Sequence, residues 1–297
     1  MDKDINKYRV WTAIITPMND DGTIDYASFE KILKRQESAG NAITILGSTG
    51  EALNLDEAEK KQILDFVLQL KLSVPLMAGV GGINLNTQLE WIKYLNTLEL
   101  DCYLPVVPLY AKPGVHGQYG WFKALLDTAD KPCMLYNVPG RTAKNLELET
   151  VSMLKDHKNF WAIKEASGSE KEFAKYAKAA PNAHMMSGDD AMLPAFSKLG
   201  AKGVVSVAAN VWPEATDLIA GQCIKGVFKD TSLWRTATEA LFCASNPVPV
   251  KALMHDLGQI DSPKLRLPLS DQDMPKLDIV RRANSSIEKW LASAKKS

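Results

Sequence analysis

Cysteine is scarce in this chain. Cys102, Cys133, Cys223 and Cys243 are spread over 297 residues, and no two stand at CxxC spacing. That pattern excludes a disulfide-framed scaffold and the usual thiolate zinc sites, and leaves a reduced, cytoplasmic chain as the expectation. Histidine is equally sparse: His116, His157, His184 and His255 do not pair at ligand spacing, so no metal site is expected, and His184 reads as a core or strand-end residue. Neither sign of charge dominates, since Lys+Arg and Asp+Glu both number 35. Without a basic excess, nucleic acid and membrane surfaces are not expected partners. No apolar run approaches the roughly 20 residues that span a bilayer, and the opening "MDKDINKYRV" lacks the apolar stretch of a signal peptide. No GxGxxG follows the first apolar run, which leads into "TPMNDDG" instead. A doubly wound dinucleotide-binding sheet is therefore the lesser alternative.

What is present is a regular beat of short apolar runs and longer amphipathic stretches. The strand candidates are residues 12–16, 42–46, 75–79, 102–107, 133–138, 160–166, 184–188 and 202–207. Most are almost continuously apolar, as parallel strands buried on both faces are. Between them, Phe29, Ile32 and Leu33 share one helical face in residues 25–40, which end at the stop signal Gly40. Ile63, Leu64, Val67 and Leu68 do the same in residues 55–71, with Asp56 placed to cap. Strand and helix alternating eight times predicts an α/β fold, a (β/α)8 TIM barrel. Beyond about residue 210 only helical patterns follow, broken by the Pro-containing 262–270 stretch, which reads as extended. The expected organisation is a catalytic barrel over residues 1–225 and a helical C-terminal extension over 226–297. Asp189 and Asp190 are expected to cap the helix after them. Met185, Met186 and the tryptophans are expected in the core.

Active sites of such barrels gather at the C-terminal ends of the strands. In "WAIKEASG" (161–168), alternation puts Trp161 and Ile163 on one face and Ala162 with Lys164 on the other. Trp161 and Ile163 suit the layer between strands and helices, so Lys164 points into the barrel. Burial disfavours the charged form of an amine, and a neutral amine adds to ketones to form a Schiff base. A lysine paired with Glu165 is the plainer alternative. "YNVPGRT" (136–142) places Tyr136 on the preceding strand at the same rim, able to relay protons, and Arg141 beyond a Pro-Gly turn, able to grip a carboxylate through two hydrogen bonds. "LGSTGEAL" (46–53) offers backbone N–H groups and hydroxyls for an oxyanion, while its Glu51 can simply begin a helix. Tyr110 stands in a loop between two prolines, where an interface or packing role is the plain reading.

Taken in order, "GSTGE", "PLYAKP", "YNVPGRT", "IKEASG", "SGDD" and "GVVSV" closely resemble the pyruvate-dependent class I aldolase superfamily, and within it the dihydrodipicolinate synthases, over about residues 10–290. The resemblance implies an imine between Lys164 and pyruvate, with no external cofactor and no metal. It implies proton relay by Tyr136, Ser48 and Tyr110, the last reaching into a neighbouring subunit's site. Thr49 would bind the pyruvate carboxylate, Arg141 the carboxylate of L-aspartate 4-semialdehyde, and Gly188 and Val205 would line the pocket. The implied reaction belongs to diaminopimelate and lysine biosynthesis, and the implied assembly is a homotetramer of tight dimers. Two features pull apart. Serine at 48, where the synthases usually show threonine, also resembles N-acetylneuraminate lyase, one of the sugar-acid aldolases that form the alternative. Arg141 favours the synthase, because a second carboxylate needs a second grip. Intact Lys164, Tyr136 and Arg141 argue against a catalytically silent pyruvate-binding scaffold. Glu57, Lys60, Ile83 and Thr87 stand where lysine-sensitive relatives carry His, His, Asn and Glu, which implies weak or absent lysine inhibition.

Overall fold

Side-chain alternation along eight short strands sorts this protein into an inside and an outside. The computed structural model describes residues 3–296. The strands are β1 (Val10–Ala13), β2 (Ala42–Ile45), β3 (Leu76–Val80), β4 (Cys102–Pro105), β5 (Cys133–Asn137), β6 (Phe160–Glu165), β7 (His184–Ser187) and β8 (Gly203–Ser206). They pair in sequence order, all parallel, and β8 returns to β1 to close the barrel. Ile43, Ile45, Leu135, Ile163 and Val204 face outward into a continuous apolar layer. Ala42, Met77, Leu104, Met134, Ala162, Met186 and Val205 face inward and fill the lumen as a second cluster. The fold is the expected (β/α)8 barrel with a helical C-terminal extension.

Helices α1 (Tyr26–Ser38) and α2 (Glu57–Gln69) begin and end where local chemistry dictates. The Asp25 carboxylate accepts from Ser28 N at the start of α1, and Gly40, at φ +73°, follows its end. Asp56 and Glu59 form a reciprocal capping box at α2. Phe29, Ile32, Leu33, Ile63, Leu64 and Val67 are all buried against the strands. The remaining barrel helices are α3 (Leu85–Leu95), α4 (Val115–Thr128), a single turn α5 (Pro139–Thr142), α6 (Leu148–Leu154), α7 (Glu170–Ala179), α8 (Leu193–Lys198) and α9 (Pro213–Ile224). Helices α10 (Thr231–Ala240), α11 (Val248–Asp256) and α12 (Leu277–Ala294) form the extension, and residues 262–270 run without helix, as expected.

Four expectations need correction. The first strand begins at Val10 rather than Thr12 and stops at Ala13. It stops because the Asn210 side chain replaces a strand partner: its amide donates to Ala13 O (2.9 Å) and its carbonyl accepts from Ile15 N (3.0 Å). Trp161 does not share the outer layer with Ile163. The β5–β6 register shifts beside it, and its ring packs at the lumen end against Trp11 (5.8 Å between centroids) and His184 (6.0 Å). Asp190 does not cap the next helix. Its carboxylate, fully buried, accepts from Ser206 Oγ and from Val207 N (2.9 Å) and Ala208 N (3.0 Å), tying β7 to the turn after β8. The tryptophans are not uniformly core, since Trp91 is half-buried and lines the large cavity described next.

Candidate active site

One cavity of about 1570 Å³ opens at the C-terminal ends of the strands. Lys164, Tyr136, Ser48, Thr49, Arg141 and Tyr110 all line it. These residues come from four different strand-to-helix loops or strand ends, 116 positions apart at the extremes of Ser48 and Lys164. Alternation within β6 puts the Lys164 amine in the lumen, and Lys164 is 5% exposed. Its register partner on β5 is Tyr136, so both side chains project from the same level. Lys164 Nζ sits over the tyrosine ring, 3.9 Å from the centroid.

The plainer reading of Lys164, a pair with Glu165, does not hold. Glu165 projects the opposite way and is itself spoken for. Its carboxylate accepts from Asn137 Nδ2 (2.6 Å), from Ser167 N (2.8 Å) and from the Ser167 hydroxyl. Burial holds the Glu165 carboxyl above the usual carboxylate range. Among the described residues no carboxylate lies within ion-pair reach of Lys164 Nζ. The amine is thus enclosed, unpaired and open to one cavity, which is what a nucleophilic lysine requires.

Gly188 follows β7 directly beside Lys164, and its amide donates to Glu165 O (2.7 Å). A β-carbon there would stand 2.9 Å from Lys164 Cγ and 2.8 Å from Ala166 Cβ, so the lysine stem has space only because position 188 is glycine. Val205 lies on β8 in the lumen cluster with Tyr136, Ala162 and Met186 and is not among the residues that line the cavity.

The turn after β2 carries Ser48 and Thr49. Leu46 (φ +57°) and Glu51 (φ +54°) hold the left-handed conformation at its two ends, at a cost of about 1–3 kcal/mol each. The backbone of β3 presses close to it: a β-carbon at Gly79 would come within 2.1 Å of Leu46 O. Among the described residues no acceptor takes the main-chain N–H of Ser48 or Thr49, which leaves both free for an oxyanion. Thr49 is 3% exposed, and its hydroxyl oxygen accepts from Asn246 Nδ2 (2.9 Å). Glu51 begins a short 3-10 turn and buries its carboxylate on Lys251 (2.6 Å).

Arg141 rides the single turn α5 at the mouth, where it is exposed. One of its N–H groups donates to Asn246 O (3.1 Å), and the others have no protein acceptor among the described residues. Tyr110 is 88% exposed with φ +65°, so its ring stands off the rim into solvent.

Two contributors went unforeseen. Thr44 faces the lumen beside Ala42, lines the cavity and has a buried hydroxyl without a partner. Alternation within "AITIL" was signal enough to find it. Asn246 carried no local signal, because it reaches the site from the extension. Among the described residues no three His, Cys, Asp or Glu side chains group as a metal site, and no helix is long and apolar enough to cross a membrane.

Comparison with known proteins agrees with this geometry. The sequence profile described as the dihydrodipicolinate synthetase family matches residues 6–285. A 4-hydroxy-tetrahydrodipicolinate synthase of Francisella tularensis subsp. novicida is 47% identical over 294 residues, covering 98% of this chain and 99% of that protein. The enzyme of the same name from Wolbachia pipientis is 44% identical over 282 residues, covering 95% and 96%. Among solved structures, the 4-hydroxy-tetrahydrodipicolinate synthase of Methylacidiphilum fumariolicum superposes with a TM-score of 0.90 at 28% identity, covering 97% of this chain and 98% of that one. The Cyanidioschyzon merolae enzyme, solved with lysine bound, gives 0.89 at 33% identity, covering 95% and 99%. Between the two readings that Ser48 and Arg141 left open, every one of these relatives carries the synthase name. Barrel, enclosed lysine and near-complete sequence coverage converge, and the chain belongs to the dihydrodipicolinate synthetase family.

Proposed function

We propose that this chain, a lyase of that family, condenses pyruvate with L-aspartate 4-semialdehyde in diaminopimelate and lysine biosynthesis, through an imine on Lys164. The Lys164 amine adds to the pyruvate ketone and water leaves, forming the imine. The imine draws electrons, so a methyl proton departs and an enamine forms. The enamine carbon attacks the aldehyde carbon, whose oxygen takes up a proton. The substrate's own amine then adds to the imine carbon and expels Lys164, closing the ring. One water is released overall, and the amine returns unchanged. Tyr136 relays protons at the imine, with Ser48 and Tyr110 continuing the relay toward solvent. Thr49 and the free N–H groups beside it hold the pyruvate carboxylate, and Arg141 holds the carboxylate of the aldehyde. Gly188 leaves space beside the Lys164 stem, and Val205 packs in the lumen cluster with Tyr136. No external cofactor enters this scheme.

The observation that carries this reading is the enclosed Lys164 amine, unpaired and 3.9 Å from the centroid of the Tyr136 ring, in a cavity that Thr49 and Arg141 also line. The assembly we infer is a tetramer of tight dimers in the cytoplasm. Its support is the exposed Tyr110 ring at the site's own rim, with Leu53 (64% exposed) on the same cavity wall. Borohydride reduction with pyruvate, followed by mass spectrometry, tests the first step, and the expected adduct is on Lys164. Arg141→Ala then tests the second substrate: trapping by pyruvate persists while turnover with aspartate semialdehyde falls by about 10²-fold or more. Absence of the adduct, or full turnover by Arg141→Ala, overturns the assignment.

A further inference from the structure

We infer that Asn246, in the extension, is a positioning residue that turns the Thr49 hydroxyl into a committed hydrogen-bond donor toward the bound keto acid. The inference rests on the reading of Thr49 as a carboxylate grip. Asn246 precedes α11 and is 5% exposed. Its amide donates to Thr49 Oγ1 (2.9 Å), a contact across 197 positions of sequence. A hydroxyl has one hydrogen to give and two lone pairs. With a lone pair taken by Asn246, and no hydrogen bond donated by the Thr49 hydroxyl to an acceptor among the described residues, its hydrogen is left for a ligand in the cavity that Thr49 lines. A carboxylate is the ligand such a donor favours.

The same asparagine reaches the second grip by its backbone, since Asn246 O accepts from Arg141 (3.1 Å). The two grips are thereby set at a fixed separation by one residue. Its place is held by the buried pair five positions on: Lys251 bonds Glu51 (2.6 Å) and Lys264 O (2.8 Å), pinning the extension to the turn that carries Thr49. Burial disfavours the charge on Lys251, so the pair holds only while both partners are in place.

The test exploits an isosteric change. Asn246→Asp keeps the backbone carbonyl for Arg141 but presents only acceptors, so it draws the Thr49 hydrogen away from the cavity. Imine formation with pyruvate alone is followed by borohydride trapping in wild type, Asn246→Asp, Thr49→Val and the double variant. The half-saturating pyruvate concentration is expected to rise about tenfold in each single variant, with the trapping rate at saturation within about threefold of wild type. In the double variant the rise is expected to be no larger than in Thr49→Val, because Asn246 acts through Thr49. Multiplying effects, or an Asn246→Asp value within twofold of wild type while Thr49→Val is impaired, overturn the inference alone. An unimpaired Thr49→Val overturns the reading of Thr49 and the inference with it. Circular dichroism checks each fold, and if the aspartate variant is misfolded the same outcomes are read from Asn246→Ala, which lacks the amide donor.

Discussion

Two adjacent residues, Lys164 and Glu165, show how little separates a cavity-facing group from one locked into the structure. Both are buried, yet one opens to the cavity and the other into a shell of donors from Asn137 and Ser167. The strand's period of two decides which is which. Asp190 extends the point. It is wholly enclosed, and burial lifts its carboxyl to about 6 despite three donors. The folded state therefore binds this proton more tightly than the unfolded chain does. Stability from that group is fully present below the unfolded value of 3.8 and is lost as pH rises through about 6. Wild type should accordingly lose on the order of 2–3 kcal/mol relative to Asp190→Asn between pH 4 and pH 7, read from paired urea titrations across that range. An unchanged difference between the two proteins over the window would remove Asp190 as its source.

At the scale of elements, the extension acts as a brace on the barrel's working end. Lys251 on α11 and Glu51 in the turn after β2 are both fully buried and paired at 2.6 Å. Removing one partner leaves a charge stranded away from water, so Lys251→Met should cost about 3–5 kcal/mol in unfolding free energy, whereas changing both to Met and Gln should recover much of it. Chemical denaturation of the two variants checks both halves, and a single variant as stable as wild type would deny the pair this role. Strand and helix positions were largely legible, because each element's apolar period is local. The exceptions had non-local causes: β1 ends where Asn210, nearly 200 positions away, takes over its hydrogen bonds, and Trp161 turns at a register shift created with β5. Asp190 was misread because its donors come from β8 and the turn beyond it, not from the helix that follows.

At the scale of the whole molecule, the cavity runs from Lys164 out to a wing between α2 and α3 that includes Glu57, Lys60, Lys61, Thr87 and Lys93. Lys60 is half-buried, and burial lowers its pKa, while Glu57 is engaged by Lys61 (2.6 Å). Ile83 lies off this wall and is 55% exposed. Lys61 and Lys93 are paired with Glu57 (2.6 Å) and Glu90 (2.7 Å), so both carboxylates of this wing are already engaged by its own lysines and neither is free for the ammonium of a cationic amino acid. Lysine up to about millimolar concentration should therefore leave turnover nearly unchanged; half-inhibition well below that in a titration would show that the wing accepts it.

Sequence alone determined the barrel, the extension, the lysine's inward direction and the grouping of Tyr136, Ser48, Thr49 and Arg141 at one end. All of these follow from periodicity and from motifs short enough to be read in place. Only the tertiary structure decided that Lys164 has no carboxylate partner among the described residues, that Thr44 and Asn246 join the site, and that the extension bonds both Thr49 and Arg141. Hydrogen bonds and ion pairs act over about three ångströms in space, and chain closure brings together groups such as Thr49 and Asn246 that no local pattern relates.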